Sequence, residues 1–528
     1  MDCRLRHHSS KIRTGVFLAA AFLVAQASGL ALDAGYAAST QYDPAVVQAL
    51  GGPGRPPTND PAFTCKALGI ALGGGDTAVV SPSSGGAYDA AREINYSETC
   101  WLPAGCIVSP KDSRQTARAI SIIGQLQTKF AVRGGGHNDN PGFASVDGSG
   151  VLISLSNLTT MALASGGGSV TVGAGSRWDA VYTYLSAKGL VAVGGRVGMV
   201  GVGGFLLGGG VSYHTSQYGL GMDNVKSFEV VLSSGRIVTA CASEYADLYK
   251  GLRGGAANFG IVTAFELYTY PSGPLNYEVR QYGFNQSRQA LQALASYQLD
   301  GQKDPLSRVD LTISSTACTA LLLYLKPVSH APAFRAFGSI PSYKQLMPPT
   351  NGSLVGMLAL GRLAFPQAHV RSYGETFSHK VDAAFAVEAH EIFRAETANL
   401  PPGAEATWVP IAVGATAAEM GRRNGGNLLG LSAVPQQWHE WYLQWEDAAH
   451  DDQLRALGAA ITAKLTAAAR ARGVLLPYLF MNTASAEQQV LQSFGRGNVD
   501  HIKRVAAKYD PGQVFQKLQN KGFLIRDI

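Results

Sequence analysis

One loop, AVRGGGHNDNPG at residues 131–142, combines bare backbone with an imidazole. Three consecutive glycines separate Arg133 from His137, so no side chain stands between the two. Glycine lets backbone N–H groups approach an anion closely, and successive N–H groups form a concavity that binds phosphate. The loop therefore predicts a phosphate-bearing ligand held beside a histidine.

Two further glycine-rich loops, residues 201–210 and 254–260, follow along the chain. Each of the three loops adjoins a predicted strand, which suggests one large phosphate-bearing ligand contacted from several sides. The spacing G-x-x-x-x-G-K-[ST] is absent, which disfavours a P-loop nucleotide hydrolase. The stretch GVGGFLLGGG imitates the Rossmann fingerprint, but no acidic residue is convincingly placed about 20 residues further on, which disfavours that fold.

The bulk composition is that of a globular protein with several domains. The chain has 528 residues, of which 46% are hydrophobic and 15% charged, and its formal net charge is +6. This length exceeds one ordinary hydrophobic core and predicts two or three domains. Because the chain has no lysine- or arginine-rich run and no nucleic-acid-binding signature, nucleic acid is not an expected partner.

The first 32 residues are predicted to be a signal peptide. A basic flank precedes the apolar stretch GVFLAAAFLVAQASGLALDAG, in which Ala25 and Ala27 offer small residues for cleavage. A membrane anchor is the alternative, but the strongly apolar part is short for a span of about 20 residues. With residues 33–64 as a loosely held leader, the protein is expected to be secreted or to enter the secretory pathway, without a membrane anchor after cleavage.

The cysteines and glycosylation signals fit an oxidising compartment. Cys65, Cys100 and Cys106 are close in sequence and could hold one disulfide, for which we predict the pair Cys65 and Cys106. We expect Cys241 and Cys318 to be buried thiols, and no cysteine spacing suggests zinc. Four N-x-[ST] sequons are compatible with secretion, at Asn95, Asn157, Asn285 and Asn351.

The elements that must position the glycine loops alternate between strand and helix. CIVSP at 106–110 predicts a strand, Asp112 caps a helix, and KFAVR leads from a strand into the first loop. A further strand at 150–158 completes a small α/β unit. From residue 168 onward we predict a strand, a helix closed by Gly189, a hairpin in VKSFEVVLSSGRIVTA, and a strand ending near Pro271.

The remaining chain predicts a second, α+β region. Strands at 309–315 and 319–327 accompany amphipathic helices at 287–298 and 451–473. A last helix stops at Asp510-Pro511, because proline disfavours helix at the residue before it.

Taken together, these motifs resemble the FAD-linked oxidases of the berberine bridge enzyme type, within the vanillyl-alcohol oxidase superfamily. Arg133-Gly-Gly-Gly-His137 is similar to the R-x-G-G-H loop of that family. The match continues through VGVGGFLLGGG, Tyr218-Gly-Leu, Asp223-Asn-Val, EVVLSSGRIV and Gly254-Gly, and resumes at KYDPGQVF. It covers roughly residues 100 to 520, is weakest in the middle, and is closest in texture to secreted fungal members.

The resemblance implies an α+β fold of three parts. A two-subdomain FAD-binding domain of the PCMH type would span 65–274. A substrate domain with a large antiparallel sheet flanked by helices would span 275–473, and segment 474–528 would return to the FAD domain. The cofactor would be FAD, bonded covalently to His137. By match to the motifs, the cofactor contacts would be Arg133, Gly134, Gly135, Gly136, His137, Asn138, Val197, Gly198, Val200, Gly203, Gly204, Gly208, Asn258, Gly260 and Ile261.

Three positions depart from the family pattern or vary within it. Val197 stands where many relatives have a cysteine that forms a second flavin bond, so a single linkage is expected, with a less oxidising flavin and a more open site. Phe205 replaces a histidine and cannot donate a polar hydrogen bond. A valine at the place of Val200 accompanies reaction of reduced flavin with dioxygen in that family, which favours an oxidase, although plain packing would also explain it.

The catalytic base is not evident from the motifs. Oxidation by hydride transfer needs a group that takes the substrate proton, and the tyrosine that several relatives use is Met481 here. Tyr478 and Asn482 are the predicted catalytic residues, with a core aromatic and a turn residue as the alternatives. Tyr213, His214 and Asn427 are further candidates, of which His214 is more typical of a packing residue.

The predicted activity is oxidation of a small organic molecule, such as a secondary metabolite, with dioxygen as acceptor and hydrogen peroxide as product. Alcohol oxidation, dehydrogenation and oxidative ring closure all fit. Oligosaccharide oxidation is an alternative, but the relatives that oxidise sugars usually carry the double flavin linkage and the tyrosine. A flavoprotein that promotes a non-redox cyclisation and a secreted binding protein that keeps only the fold also remain open.

Overall fold

The computed structural model describes residues 42–52, 54–73, 78–341, 343–364 and 370–528. Three sheets and the helices packed on them make up this part of the chain. The predicted signal peptide and most of the first ten leader residues lie outside it. Within the described ranges, no helix combines the length and apolar character needed to cross a bilayer.

The first sheet carries the glycine loop at its edge. Its four strands stand in the order β1-β2-β4-β3, and β2 and β3 both run parallel to β4. The crossover between β2 and β3 is the predicted helix, which begins where the Asp112 carboxylate accepts the Gln115 N–H at 2.8 Å. The strands are β1 Val79–Val80, β2 Cys106–Val108, β3 Lys129–Arg133 and β4 Gly150–Ser154, and the helices are α1 Pro44–Leu50, α2 Pro61–Ala71, α3 Gly86–Arg92 and α4 Ser113–Leu126.

The second sheet shares a hydrophobic core with the first, because the isoleucines of α4 pack between them. Its order is β5-β6-β10-β8-β9, with β7 also pairing β10, and the predicted hairpin is β8 with β9. The strands are β5 Met161–Leu163, β6 Ser169–Gly173, β7 Leu190–Ala192, β8 Val225–Val231, β9 Ile237–Cys241 and β10 Ile261–Pro271, and the helices are α5 Trp178–Ser186, α6 Val202–Leu207, α7 Thr215–Tyr218 and α8 Ala246–Leu252.

The third sheet has eight antiparallel strands in the order β14-β11-β13-β12-β16-β17-β15-β18, which confirms the predicted large antiparallel sheet flanked by helices. The strands are β11 Leu275–Gly283, β12 Ser307–Ile313, β13 Ala317–Tyr324, β14 Lys344–Gly352, β15 Arg371–Lys380, β16 Glu405–Val413, β17 Gln436–Trp445 and β18 Leu475–Leu476. The helices are α9 Ser287–Leu299, α10 Arg335–Gly338, α11 Leu354–Ala364, α12 Ala383–Glu396, α13 Ala415–Arg423 and α14 Asp451–Ala471.

Strand β17 shows how the third sheet separates its two faces. Side chains alternate along a strand, so Trp441 and Trp445 are buried with the helices α9, α12 and α14. Glu440 and Gln444 point to the opposite face and are partly exposed. The polar face is therefore available to the loops of the first two sheets.

The C-terminal segment packs against the first sheet. The Phe130 N–H in β3 donates to the Leu518 carbonyl at 2.9 Å, and the Asn520 N–H donates to the Phe130 carbonyl at 2.7 Å. The segment contains α15 Val490–Ser493, α16 Arg496–Tyr509 and α17 Val514–Lys517. It thus lies directly beside the strand that leads into the glycine loop.

The cysteines and sequons bring two confirmations and two corrections. Cys65 and Cys106 form the predicted disulfide, with Cα atoms 6.0 Å apart, and Cys318 is the expected buried thiol. Cys241 is disulfide-bonded, so its assignment as a free thiol is wrong. Asn95 is only 1% exposed, and its amide donates to the Cys100 carbonyl. A glycan cannot occupy this amide in the folded chain, because both space and donor are taken.

Two buried histidines of the third sheet share one hydrogen bond. The Nε2 atoms of His379 in β15 and His439 in β17 are 2.6 Å apart, and Nδ1 of His379 is 2.6 Å from the Lys380 carbonyl. A carbonyl only accepts, so Nδ1 of His379 carries a proton and its Nε2 accepts from His439. Nδ1 of His439 is then a buried acceptor without a partner, and burial lowers the pKa of both rings, that of His379 to about 4.

We expect the free energy of unfolding to decrease as the pH falls from the ordinary histidine value of 6.5 toward 4. Above 6.5 neither state binds the protons; below it the unfolded chain binds them and the native pair does not. Urea unfolding at a series of pH values should show this slope, and the double change His379→Phe with His439→Phe should flatten it. Exposed His330→Asn is the control and should leave it unchanged; an unaltered slope in the double variant would assign the acid sensitivity elsewhere.

Candidate active site

The first glycine loop leaves β3 with four consecutive unpaired donors. Among the described residues, none of the backbone N–H groups from Gly134 to His137 has an acceptor. Their carbonyl side is tied down, since the Tyr96 N–H donates to the Gly136 carbonyl at 2.8 Å. Gly136 has φ +69°, and a Cβ there would lie 2.8 Å from Oδ1 of Asn95. The loop is thus a fixed row of free N–H groups, as anion binding requires.

The second glycine loop packs backbone to backbone on the first. A Cβ on Gly135 would lie 2.4 Å from Cα of Gly201, and a Cβ on Gly201 would lie 2.6 Å from Cα of Gly135. Gly203 is similarly confined, because a Cβ would lie 3.2 Å from the Ala174 carbonyl oxygen. These glycines are required by close approach of two loops, a contact that no local pattern specifies.

Residues 197–200 form the open rim of this second loop. The Val200 carbonyl accepts from the Trp178 N–H at 3.1 Å, and the Gly198 carbonyl accepts from the Asp179 N–H at 2.9 Å. The loop is therefore anchored on α5 while its other side stays open. The Val197 side chain is 52% exposed, so the position predicted to lack a flavin bond presents an accessible apolar group.

His137 stands at the junction of the loops with a neutral ring. Its imidazole stacks on the Tyr96 ring, with centroids 4.7 Å apart and planes 7° from parallel. Burial lowers the pKa of His137 to about 4, and the nearby positive charge of Arg177 acts in the same direction. A neutral imidazole keeps a free nitrogen lone pair at neutral pH, which makes it a competent nucleophile.

Tyr96 connects His137 to the polar face of the third sheet. Its hydroxyl accepts from Nε2 of Gln444 in β17 at 2.6 Å. Glu440 and Tyr442 lie on the same face of that strand. The carboxylate of Glu440 interacts electrostatically with the side chains of Tyr96 and Tyr442. The substrate side of the site is therefore a sheet surface that carries a carboxylate.

Glu440 belongs to a cluster of two carboxylates and two guanidinium groups. Nη1 of Arg196 is 3.1 Å from Oδ2 of Asp310, and its Nη2 is 4.0 Å from Oε2 of Glu440. Nε of Arg308 is 2.9 Å from the other oxygen of Asp310. None of the motifs in the sequence indicates this cluster. Its one local signal is the only charged residue in the strand QQWHEWYLQW.

The pKa values of the two carboxylates in the cluster shift in opposite directions from their ordinary values. Burial alone would raise both, but Arg196 and Arg308 hold the pKa of Asp310 below its ordinary value. Burial raises the pKa of Glu440, Arg196 offsets this only in part, and the charges of Asp139 and Asp310 add to the rise. Two titratable groups separated in this way are typical of acid–base sites.

Several residues predicted to contact the cofactor also brace the loops. Arg133 is fully buried, and its Nη2 donates to the Ala91 carbonyl at 2.6 Å. Asn258 donates to the carbonyls of Gly255 and Phe523, both at 2.9 Å, and so ties the third loop to the C-terminal segment. Other predicted contacts are used locally or packed: Asn138 accepts from Asn140 N–H, a Cβ on Gly260 would meet the Val231 carbonyl at 2.7 Å, and Ile261 begins β10 in the core.

Asn482 holds the second glycine loop from the other side. Its Nδ2 donates to the Gly204 carbonyl at 3.1 Å, and its Oδ1 accepts from the Gly210 N–H at 3.0 Å. A Cβ on Gly208 would lie 2.6 Å from the same Nδ2. The amide is engaged with backbone on both ends, which favours the turn-residue alternative, and the catalytic role of Asn482 stays a prediction.

Tyr478 and Phe205 both face the interior. Tyr478 is 3% exposed, and its ring lies 4.6 Å from that of Trp438, which favours the core-aromatic alternative. The Phe205 ring packs edge-on against Trp178 at 5.1 Å.

The remaining sequence candidates fall into two groups. Tyr213 adjoins the charged cluster, because its hydroxyl donates to the Arg196 carbonyl at 3.3 Å. His214 and Asn427 are used structurally: Nδ1 of His214 is 3.1 Å from Oε1 of Gln217, and Nδ2 of Asn427 donates to Asp223 at 2.8 Å.

The site fits a flavin dinucleotide on its own geometry. The free N–H row suits a pyrophosphate, the neutral His137 suits a bond to the flavin ring, and the open rim at 197–200 leaves space beside both. Donors and nucleophile belong to the first glycine loop, and the second glycine loop packs directly against it at Gly201. The same arrangement has no group of three or more metal-ligating side chains within the described residues.

Comparison with known proteins agrees with this assignment. Residues 104–240 match the family described as FAD binding domain. An FAD-dependent monooxygenase of Arthrobotrys oligospora is 40% identical over 465 residues, covering 88% of this chain and 90% of the relative. The FAD-dependent monooxygenase macF of Penicillium terrestre is 40% identical over 88% of this chain and 89% of its own. The bifunctional solanapyrone synthase of Alternaria solani is 33% identical, over 85% and 86%.

Solved structures share the fold at low identity. The BBE-like 1 protein of Physcomitrella patens has a TM-score of 0.72 at 18% identity and covers 86% of this chain and 99% of its own. A chitooligosaccharide oxidase has a TM-score of 0.72 at 19% identity, over 87% and 99%. The fold of this chain is thus shared with proteins of low sequence identity.

Proposed function

This chain belongs to the FAD-linked oxidoreductases of the berberine bridge enzyme type, and we propose that it oxidises a small organic molecule with dioxygen as electron acceptor, giving hydrogen peroxide. One observation carries the proposal. The first glycine loop, Gly134 to His137, which we call the flavin loop, faces with its free N–H row and neutral His137 a sheet surface that bears Glu440. The substrate would lose one hydride and one proton, and dioxygen would gain two electrons and two protons.

Different residues of this chain would hold the cofactor and accept the substrate proton. FAD supplies the hydride acceptor when bound. The N–H groups of Gly134 to His137 would hold its pyrophosphate, and His137 would form the single covalent link, because Val197 cannot form a second. Glu440 would take the substrate proton at its carboxylate, since its pKa lies above the ordinary glutamate value and closer to neutral pH.

A small secondary metabolite is the substrate class that we favour over an oligosaccharide. The support is the absence of a second flavin anchor at Val197 and of a tyrosine at Met481, combined with the sequence relation to a fungal solanapyrone synthase. A polar group on the substrate would meet Glu440, Tyr442 and Gln444 on β17. A hydroxyl that loses its proton to Glu440 fits this surface.

Monooxygenation is a second candidate, because several relatives carry that name, including two that are 40% identical. One atom of dioxygen would then enter the product rather than leave as hydrogen peroxide. The valine at position 200 supports reaction with dioxygen in both cases, and so does not distinguish them.

Anaerobic mixing tests the proposal. Candidate metabolites should bleach the flavin absorbance, and admission of air should restore it with one hydrogen peroxide per substrate oxidised. Isotope-labelled oxygen in the product, with little peroxide, would favour the monooxygenase instead. Turnover without bleaching would indicate the non-redox cyclisation, and protein purified without flavin absorbance would contradict every flavin-dependent reading.

We also propose that the protein acts in the secretory pathway or outside the cell. The disulfide between Cys65 and Cys106 supports this location, because disulfides persist in oxidising compartments. The sequons at Asn157 and Asn285 support it too, since both side chains are exposed and accessible to glycosylation. Removal of N-glycans from the secreted protein should lower its apparent mass, and Asn157→Gln should remove part of that change.

A further inference from the structure

We propose that Arg196 and Asp310 are positioning residues that keep Glu440 ready to accept a substrate proton. The guanidinium of Arg196 is shared unevenly between the carboxylates of Asp310 and Glu440. The inference rests on the proposed function, in which Glu440 is the proton acceptor. Neither Arg196 nor Asp310 touches the reacting atoms in this assignment. Both act through Glu440.

The uneven sharing is visible in the distances. Asp310 has close contacts to two cations, Arg196 at 3.1 Å and Arg308 at 2.9 Å. Glu440 has one cation, Arg196, at 4.0 Å. The cluster is neutral, with two positive and two negative groups, yet nearly all of the pairing goes to Asp310. Glu440 is therefore the carboxylate that keeps unused acceptor capacity.

Burial assigns the two carboxylates different roles. The Asp310 side chain is 15% exposed, whereas that of Glu440 is 28% exposed. Arg308 is held behind Asp310, because its Nη1 donates to the Ala412 carbonyl at 2.8 Å and its side chain is 1% exposed. The closed pair of Asp310 and Arg308 thus forms the inner end of the cluster, and Glu440 forms its open end.

Arg196 also connects the two halves of the site along the chain. It immediately precedes Val197, the first residue of the open rim, and its carbonyl accepts the Tyr213 hydroxyl at 3.3 Å. Its guanidinium reaches β12 through Asp310 and β17 through Glu440. The same residue therefore links the rim of the second glycine loop to the two strands that carry Asp310 and Glu440.

Other titratable groups around Glu440 come from each neighbouring element. Asp139 follows the flavin loop, and Tyr96 lies between that loop and β17; both interact electrostatically with Glu440. Tyr442 is on the same face of β17, and Asp310 is on β12. Among the described residues, Arg196 is the one charged neighbour that lowers the pKa of Glu440. Its removal should therefore dominate the response.

The two residues should shift Glu440 in opposite directions. Arg196→Met removes the only favourable charge, so the pKa of Glu440 should rise by about 1 unit or more. Asp310→Asn removes a like charge and releases Arg196 toward Glu440, so the pKa should fall. Arg196→Lys keeps the charge but not the two-pronged guanidinium, and should give a smaller rise than methionine. A merely structural role would not produce shifts of opposite sign.

The experiment is an infrared titration of the resting holoenzyme, which needs no substrate. The carbonyl band of a protonated glutamic acid is followed against pH and assigned to Glu440 by its loss in Glu440→Gln. The expected result is a midpoint that rises in Arg196→Met and falls in Asp310→Asn. Exposed Arg288→Met, whose pair with Glu391 lies on the surface, should leave the midpoint unchanged.

The outcomes separate this inference from the proposed function. Midpoints that move together, do not move, or respond equally to Arg288→Met would overturn the positioning roles. A wild-type protein with no assignable band would do the same. If the midpoints shift as expected while no metabolite bleaches the flavin, the positioning roles of Arg196 and Asp310 hold and the proposed reaction is wrong. With a substrate in hand, the acid limb of kcat/KM should follow the same midpoints.

Discussion

Replacing His137 with alanine is expected to yield protein whose flavin is released by acid or denaturant, whereas wild-type protein should retain it through precipitation. The reason is that His137 is the one predicted covalent anchor, since Val197 occupies the place of a second. The free N–H row from Gly134 onward is backbone and survives the change. The variant should therefore still bind FAD, but without the bond.

The measurement is flavin absorbance in pellet and supernatant after acid precipitation, with mass spectrometry of the intact chain. His214→Asn is the matched control, because His214 is also a buried histidine near the glycine loops but bonds to Gln217. It should retain covalent flavin. If the wild-type flavin were equally released, the covalent assignment would be wrong, although the flavin site itself would stand.

Replacing Glu440 with glutamine is expected to reduce kcat by roughly 100- to 10,000-fold, the range for loss of a positioned general base. Glutamine keeps the size and the polar character of the side chain but cannot accept a proton. The flavin content should stay at the wild-type level, because Glu440 lies on the third sheet and not on the flavin loops. Anaerobic bleaching should slow by the same factor as turnover.

The pH dependence gives the second readout for Glu440. A base must be deprotonated to act, so wild-type kcat/KM should fall as the pH drops below the pKa of Glu440, which burial raises. This acid limb should be absent in Glu440→Gln. Exposed Glu405→Gln on the neighbouring strand β16 makes the same chemical change as a control. Wild-type turnover in Glu440→Gln would exclude Glu440 as the proton acceptor and return attention to Tyr442.

The local elements near the flavin loops could be read from the sequence with good accuracy. The helix capped by Asp112, the hairpin of β8 with β9 and the strand into the first glycine loop all form as predicted, because capping, turn and alternation signals lie within a few residues of one another. For the third sheet, the sequence predicted a large antiparallel sheet flanked by helices. The order of its strands could not be predicted, because strands such as β12 and β16 pair across long sequence separations.

The candidate site shows the same division. His137 and its glycines could be identified because the motif is continuous along the chain. The hydrogen-bond partners of Arg133, Asn258 and Asn482 could not, because each side chain bonds to backbone that is far away in the sequence. A polar residue in a motif does not reveal which partner it will meet after folding.

By itself the sequence determined the cofactor class and the glycine loop that carries His137, since these depend on residue types at short spacing. Only the tertiary structure decided where Glu440, the proposed proton acceptor, stands. Arg196, Asp310 and Glu440 come from a loop and two strands far apart in the chain, and strand register brings them onto one face. Charge interactions weaken as the distance between the groups grows, so a carboxylate acquires its proton affinity from spatial neighbours that the linear sequence does not place.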